Sequence, residues 1–196
     1  MRRAGIMVAL CLWPAAAHAH LVSTGFGAFY DGVAHLVLTP QDWLVVVAMG
    51  LLAGLCGRRA ARASLVVFPM AWFAGGIAGA ALAPVSTPAI ATAPSILVVG
   101  ILVAFDRKLT PTVVVVLSCL AGLLHGFING ATMNVSGRMW LALLGASTVV
   151  FACTTLLAAM VVSLRARWTR VMIRVAGSWI AATGILLLGW LLRGVR

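Results

Sequence analysis

Acidic residues are almost missing from this 196-residue chain. Three aspartates and no glutamate stand against fourteen lysines and arginines, and charged residues make up only 9% of the total. So few charges exclude an ordinary soluble domain, in which about a quarter of residues are charged. Reactive constellations are missing too. The sequence shows no Ser/His/Asp set, no paired intramembrane carboxylates and no phosphate-binding loop, so there is no catalytic group to assign and an enzyme is not expected. The four cysteines are isolated, without C-x-x-C spacing, which excludes a cysteine metal site and gives no sign of a disulfide. No basic patch is interleaved with aromatics on a polar face, so the net charge of +11 does not point to nucleic acid.

What is abundant is apolar sequence. Hydrophobic residues reach 63% and the mean hydropathy is +1.14, which marks an integral membrane protein. The first nineteen residues read as a secretory signal. Arg2 and Arg3 precede a short apolar core, and Ala17-His18-Ala19 fits the small-x-small cleavage pattern. Cleavage there discards His18 and leaves His20 as the first residue of the mature chain, residues 20–196, a single membrane domain.

Six spans follow, at about Pro40–Gly57, Ser64–Ala83, Pro88–Phe105, Pro111–Gly130, Met139–Leu164 and Val175–Leu192. Each approaches the roughly 20 residues a helix needs to cross the hydrocarbon core. The charge between them gives orientation. Arg58, Arg59, Arg62, Arg107, Lys108, Arg165, Arg167, Arg170 and Arg174 fall on one side, and only Arg138, Arg193 and Arg196 on the other. Nine against three predicts an all-α, six-helix bundle with both termini outside.

Thr-Pro pairs at Thr39-Pro40, Thr87-Pro88 and Thr110-Pro111 mark helix starts, threonine as cap and proline at the first turn. Pro94, inside the third span, predicts a kink. Glycines at four-residue spacing (Gly50/Gly54, Gly75/Gly79, Gly122/Gly126/Gly130) predict close helix contacts, within a compact bundle or between copies in a homo-oligomer.

After cleavage the ionisable candidates outside the basic loops are few. His20 is a terminal ligand candidate or a solvated end. Asp31 and His35 share a face if their segment is helical. Asp42 lies seven beyond His35, and Thr39-Pro40-Gln41-Asp42 also reads as a capping box, leaving capping and cation binding both open. His125 is deep in the fourth span, where polar side chains are rare, and Asn129 and Met133 follow at i+4 and i+8. That stripe reads equally as a cation path or as an interhelical hydrogen bond with a core methionine. Asp106, beside Arg107 and Lys108, reads as a solvated loop charge.

His20, Thr24-Gly25-Phe26-Gly27, Asp31-Gly32, His35, Ala48-Met49-Gly50-Leu51 and His125-Gly126-x3-Gly130 together resemble the HupE/UreJ family of nickel/cobalt permeases. The resemblance implies a small six-helix inner-membrane protein with an HPxxGxDH motif entering the first helix and an HGxAHGxE-like motif in the fourth. Laid on this chain, the first motif keeps His35 but has Gln41-Asp42 in place of Asp-His. In the second, His125, Gly126 and Gly130 match, with Asn129 where histidine is expected and Thr132 where the acid stands. Oxygen donors thus replace several ligands, and carboxylate suits harder cations than imidazole does. The resemblance implies His20, Asp31, His35, Asp42, His125 and Asn129 as metal-handling residues, with a divalent metal cation as transported substrate and no permanently bound cofactor. The other reading is a non-transporting membrane accessory or scaffold that keeps the fold without the metal path.

Overall fold

A computed structural model of the chain describes residues 23–82, 89–133, 138–164 and 166–193. The expected signal peptide (residues 1–19), His20 and the Thr87-Pro88 pair lie outside these residues. Seven α-helices run in order: α1 (Ala28–Leu38), α2 (Pro40–Leu55), α3 (Arg58–Leu82), α4 (Ala93–Ala104, preceded by a 3-10 turn over Ala89–Thr92), α5 (Pro111–Met133), α6 (Met139–Ser163) and α7 (Arg167–Arg193). The result is the all-helical, polytopic bundle expected.

Four helices, α3, α5, α6 and α7, are long and apolar enough to cross a membrane, and α1 with α2 forms a fifth crossing if the bent pair is one span. Six uniform spans were expected. The difference lies in α4, which is only 12 residues long, and in the α1–α2 break, where the axis turns by 79° at Thr39. The break follows from Pro40. A residue before proline is pushed out of the helical region, and Thr39 is extended (φ −97°, ψ 101°). Thr39 does not cap α2 with its side chain. Its hydroxyl turns back and donates to the His35 carbonyl at 2.7 Å, satisfying one of the carbonyls orphaned at the end of α1.

Pro94 makes no kink. It falls in the first turn of α4, where a missing N–H leaves no gap, so the third apolar stretch starts its α-helix later than expected. The proline inside a helix is Pro69 of α3.

α2 forms the centre. Ten of its residues, from Asp42 to Gly54, are buried, and it touches all six other helices, as befits a helix that is apolar all round. α3 packs most extensively on α5, α4 on α7, and α6 lies across α1, α2 and α3. The glycine ridges create these contacts. A Cβ on Gly126 or Gly130 would run into the backbone of Trp72 or Gly76, and one on Gly79 into the backbone of Phe127, so α3 and α5 meet main chain to main chain. Gly50 and Gly54 admit Leu157 and Val161 of α6 in the same way. The glycine faces expected to serve either the bundle or an oligomer are therefore filled by the chain's own helices.

The basic loops gather at one end. Arg58 and Arg170 line one cavity, Cys56 reaches the Arg107 carbonyl, and Arg170 grips Asp106 with two bonds of 2.8 and 2.9 Å. Asp106 is thus half of an exposed ion pair rather than a lone loop charge. The opposite end of α2, with Pro40 and Asp42, meets the start of α4 and the end of α5.

Candidate cation site

Asp42 is the hub of that opposite end. It sits in the first turn of α2 and is 3% exposed, and among the described residues it makes no capping bond. Its Oδ1 accepts from His125 Nδ1 at 2.8 Å and its Oδ2 from Asn129 Nδ2 at 2.8 Å. The capping reading gives way because α5 brings two donors to the carboxylate. His125 and Asn129 are one helical turn apart on α5, so a single carboxylate can span both. A second bond from Asn129 Nδ2 to the His125 carbonyl, 2.8 Å, holds the amide in place.

The other ring nitrogen of His125, Nε2, lies 2.9 Å from Ser95 Oγ in α4, and Ser95 also donates to the Thr92 carbonyl at 2.7 Å. Trp72 closes the far side, its ring 5.4 Å from the imidazole and tilted by 31°. His125 and Asn129 are both buried, 0% and 2% exposed.

His35 enters from α1. It lies close enough to Asp42 and Asn129 to interact with both. A cavity of about 40 Å³ opens between His35, Thr39, Gln41, Asp42, Asn129 and Thr132. That volume admits a single water-sized guest, whose share of liquid is about 30 Å³. Asn129 Oδ1, on the same side chain, is buried and makes no standard hydrogen bond among the described residues. Two sequence candidates do not join the cluster. Asp31 accepts from the Thr24 N–H and hydroxyl at 2.6 and 2.7 Å, fastening the segment before α1, and Met133 is buried in the apolar core. Among the described residues no three His, Cys, Asp or Glu side chains are arranged to hold a metal ion. Ser95, Thr92 and Trp72 were not legible as site residues. A serine one residue after a helix-start proline is the one signal that could have drawn notice to Ser95.

A family model described as HupE / UreJ protein matches residues 7–187. The chain belongs to the HupE/UreJ family. No curated protein and no solved structure matches it. The two partly kept HupE/UreJ motifs, 83 positions apart from Asp42 to His125, meet at one point in space: His35 and Asp42 from the first, His125 and Asn129 from the second. The family is one of membrane proteins associated with nickel/cobalt transport or accessory roles.

Proposed function

We propose that this chain is an inner-membrane permease for a divalent transition-metal cation, nickel or cobalt by family. The observation that carries the reading is the buried Asp42 carboxylate beside His35 and a one-guest cavity, at a break in a membrane helix. A carboxylate out of water calls for a compensating charge or donors, and in transporters such groups mark ion paths. By the distribution of basic residues the cavity faces the outside. His20 meets the ion first at the mouth. The ion sheds most of its water, since the cavity is too small for a full hydration shell, and rests against His35 nitrogen, Asp42 oxygen and Asn129 Oδ1. Asn129 suits this role because it donates to Asp42 through Nδ2 while its Oδ1 offers an acceptor to the ion. His125 receives the ion on the inner side. Few, mixed donors bind firmly enough to replace water and weakly enough to release, which transport needs.

A specific observation favours a second reading. Both Asp42 oxygens and both His125 nitrogens are already paired, which suits a structural clamp in a non-transporting accessory protein. Cellular uptake of radiolabelled nickel and cobalt, with manganese in competition, decides between them. The permease predicts uptake above empty vector that His35→Ala and His125→Ala both abolish at matched membrane levels. No uptake of any of these metals by well-expressed protein would leave the accessory reading standing.

A further inference from the structure

Three neighbouring cavities share lining residues at and below the basic end, the first among α2, α6 and α7 at the start of α3, and the other two along a groove between α3 and α6. The first, about 320 Å³, lies between Gly57, Arg58, Val162 and Arg170. The second, about 220 Å³, shares Arg58 and Val162 with it and adds Arg62, Leu65 and Thr155. The third, about 480 Å³, shares Leu65 and runs past Pro69 to Phe73, with Ser147 and Phe151 opposite. The groove is cationic at its head and apolar along its length.

Its head carries charge with nothing to balance it. Of the three acids in the chain, Asp106 is held by Arg170, Asp31 by Thr24, and Asp42 by His125 and Asn129. Arg58 and Arg62, exposed and one turn apart on α3, have no carboxylate left to pair with. They stand at the first turn of α3, where free N–H groups add partial positive charge. The length fits as well: the fifteen steps from Arg58 to Phe73 cover about 22 Å at about 1.5 Å per residue, half of a bilayer roughly 40–45 Å thick with its headgroups.

We infer that this groove is a binding site for one anionic phospholipid of the inner leaflet, its phosphate on Arg58 and Arg62 and an acyl chain between α3 and α6. Basic pockets between helices on the cytoplasmic side bind such headgroups. Orientation alone requires only the number of basic residues on a side. A lipid site requires them at these two positions, and the two demands separate by experiment.

The full chain, purified in detergent, is titrated with palmitoyl-oleoyl phosphatidylglycerol or the phosphatidylcholine of the same chains, and bound lipid is counted by native mass spectrometry. The wild type should prefer phosphatidylglycerol by roughly ten-fold or more. Arg58→Gln with Arg62→Gln should erase that preference. Arg59→Gln with Arg167→Gln, which removes the same charge from exposed positions off the groove, should change it less than about two-fold. Ala159→Phe, an exposed site on the groove wall, should lower phosphatidylglycerol occupancy with every arginine intact. Equal binding of the two lipids overturns the inference. So does equal loss in the two arginine pairs, unchanged occupancy in Ala159→Phe, or a dimer that forms in place of the lipid adduct. If the Arg58/Arg62 variant elutes aggregated, the wild-type preference and Ala159→Phe still decide.

Discussion

Exchanging Asp42 and Asn129 measures what the buried cluster contributes to the bundle. In Asp42→Asn the side-chain carbonyl can still accept from His125 Nδ1, but the introduced amide nitrogen then faces Asn129 Nδ2, donor against donor. Turning Asn129 would present its unpartnered Oδ1, yet it would also break the bond from Nδ2 to the His125 carbonyl and set two oxygens face to face. With the proton on His125 Nδ1, either arrangement leaves one buried group unsatisfied, which costs about 1–3 kcal/mol, and a charge-assisted bond becomes a neutral one, about 1 kcal/mol weaker; with the proton on Nε2 the introduced amide donates to Nδ1, its carbonyl accepts from Asn129, and only the second cost remains. The loss is about 1–4 kcal/mol, above the ~0.6 kcal/mol that interhelical hydrogen bonds average in membranes. At roughly 2–4 °C per kcal/mol for a chain of this size, the thermal midpoint should fall by roughly 2–16 °C. Tryptophan fluorescence in detergent follows the transition. Asn129→Asp should be at least as damaging, because it sets a second carboxylate beside the first. The double exchange restores one amide–carboxylate bond, so its loss should be smaller than the sum of the singles by about 1–3 kcal/mol. A midpoint for Asp42→Asn within about 2 °C of wild type, or additivity within about 0.5 kcal/mol, would refute the reasoning.

Three further outcomes are expected. Gly126→Ala should destabilise by about 3 kcal/mol, the upper end for overpacking, because the added carbon meets the backbone of Trp72. Gly189→Ala, with open space around it, should be silent in the same melting assay. Ser118→Ala should cost about 0.6 kcal/mol, since it removes the 2.7 Å bond to Ser64 that ties α5 to α3, and a Ser64/Ser118 double-mutant cycle would show the coupling. Arg170→Gln should leave the melting midpoint within about 2 °C of wild type, because exposed pairs such as that with Asp106 are worth only ~0.2–1 kcal/mol, and a larger drop would show a structural role for the α4–α7 tie.

Much of the fold was legible because lipid imposes simple rules. Apolar runs of helix length and basic loops between them follow from the cost of unpaired backbone and buried charge, and the structure kept most of those boundaries. The glycine spacing correctly announced close helix contacts, but spacing names no partner, and only the fold shows α3 and α5 filling each other's ridges. Pro94 and the length of α4 were not legible, since a proline in an apolar run is compatible with a kink or with a late start. The site was half legible. His35, Asp42, His125 and Asn129 were each picked out as polar groups in an apolar chain, whereas the separation of 83 positions between Asp42 and His125 hid the fact that they touch. Asp42 stood in a sound capping position, and the local rule lost to a tertiary partner.

The same geometry that assembles the cluster also tempers it. Asp42 lies in the first turn of α2, so the N-terminus of that helix brings partial positive charge to the carboxylate. That field, together with donors from His125 and Asn129, stabilises the anion without any cation present. An arriving metal ion therefore competes with charge already supplied by the protein, and its net gain is smaller than a bare buried aspartate would give. A tightly binding metal centre would avoid this competition and surround the ion with histidines. A site that must let its ion go benefits from it. The break at Thr39 is what makes the arrangement available, because it ends α1 and starts a new helix two residues before Asp42, and so places a helix N-terminus at the carboxylate.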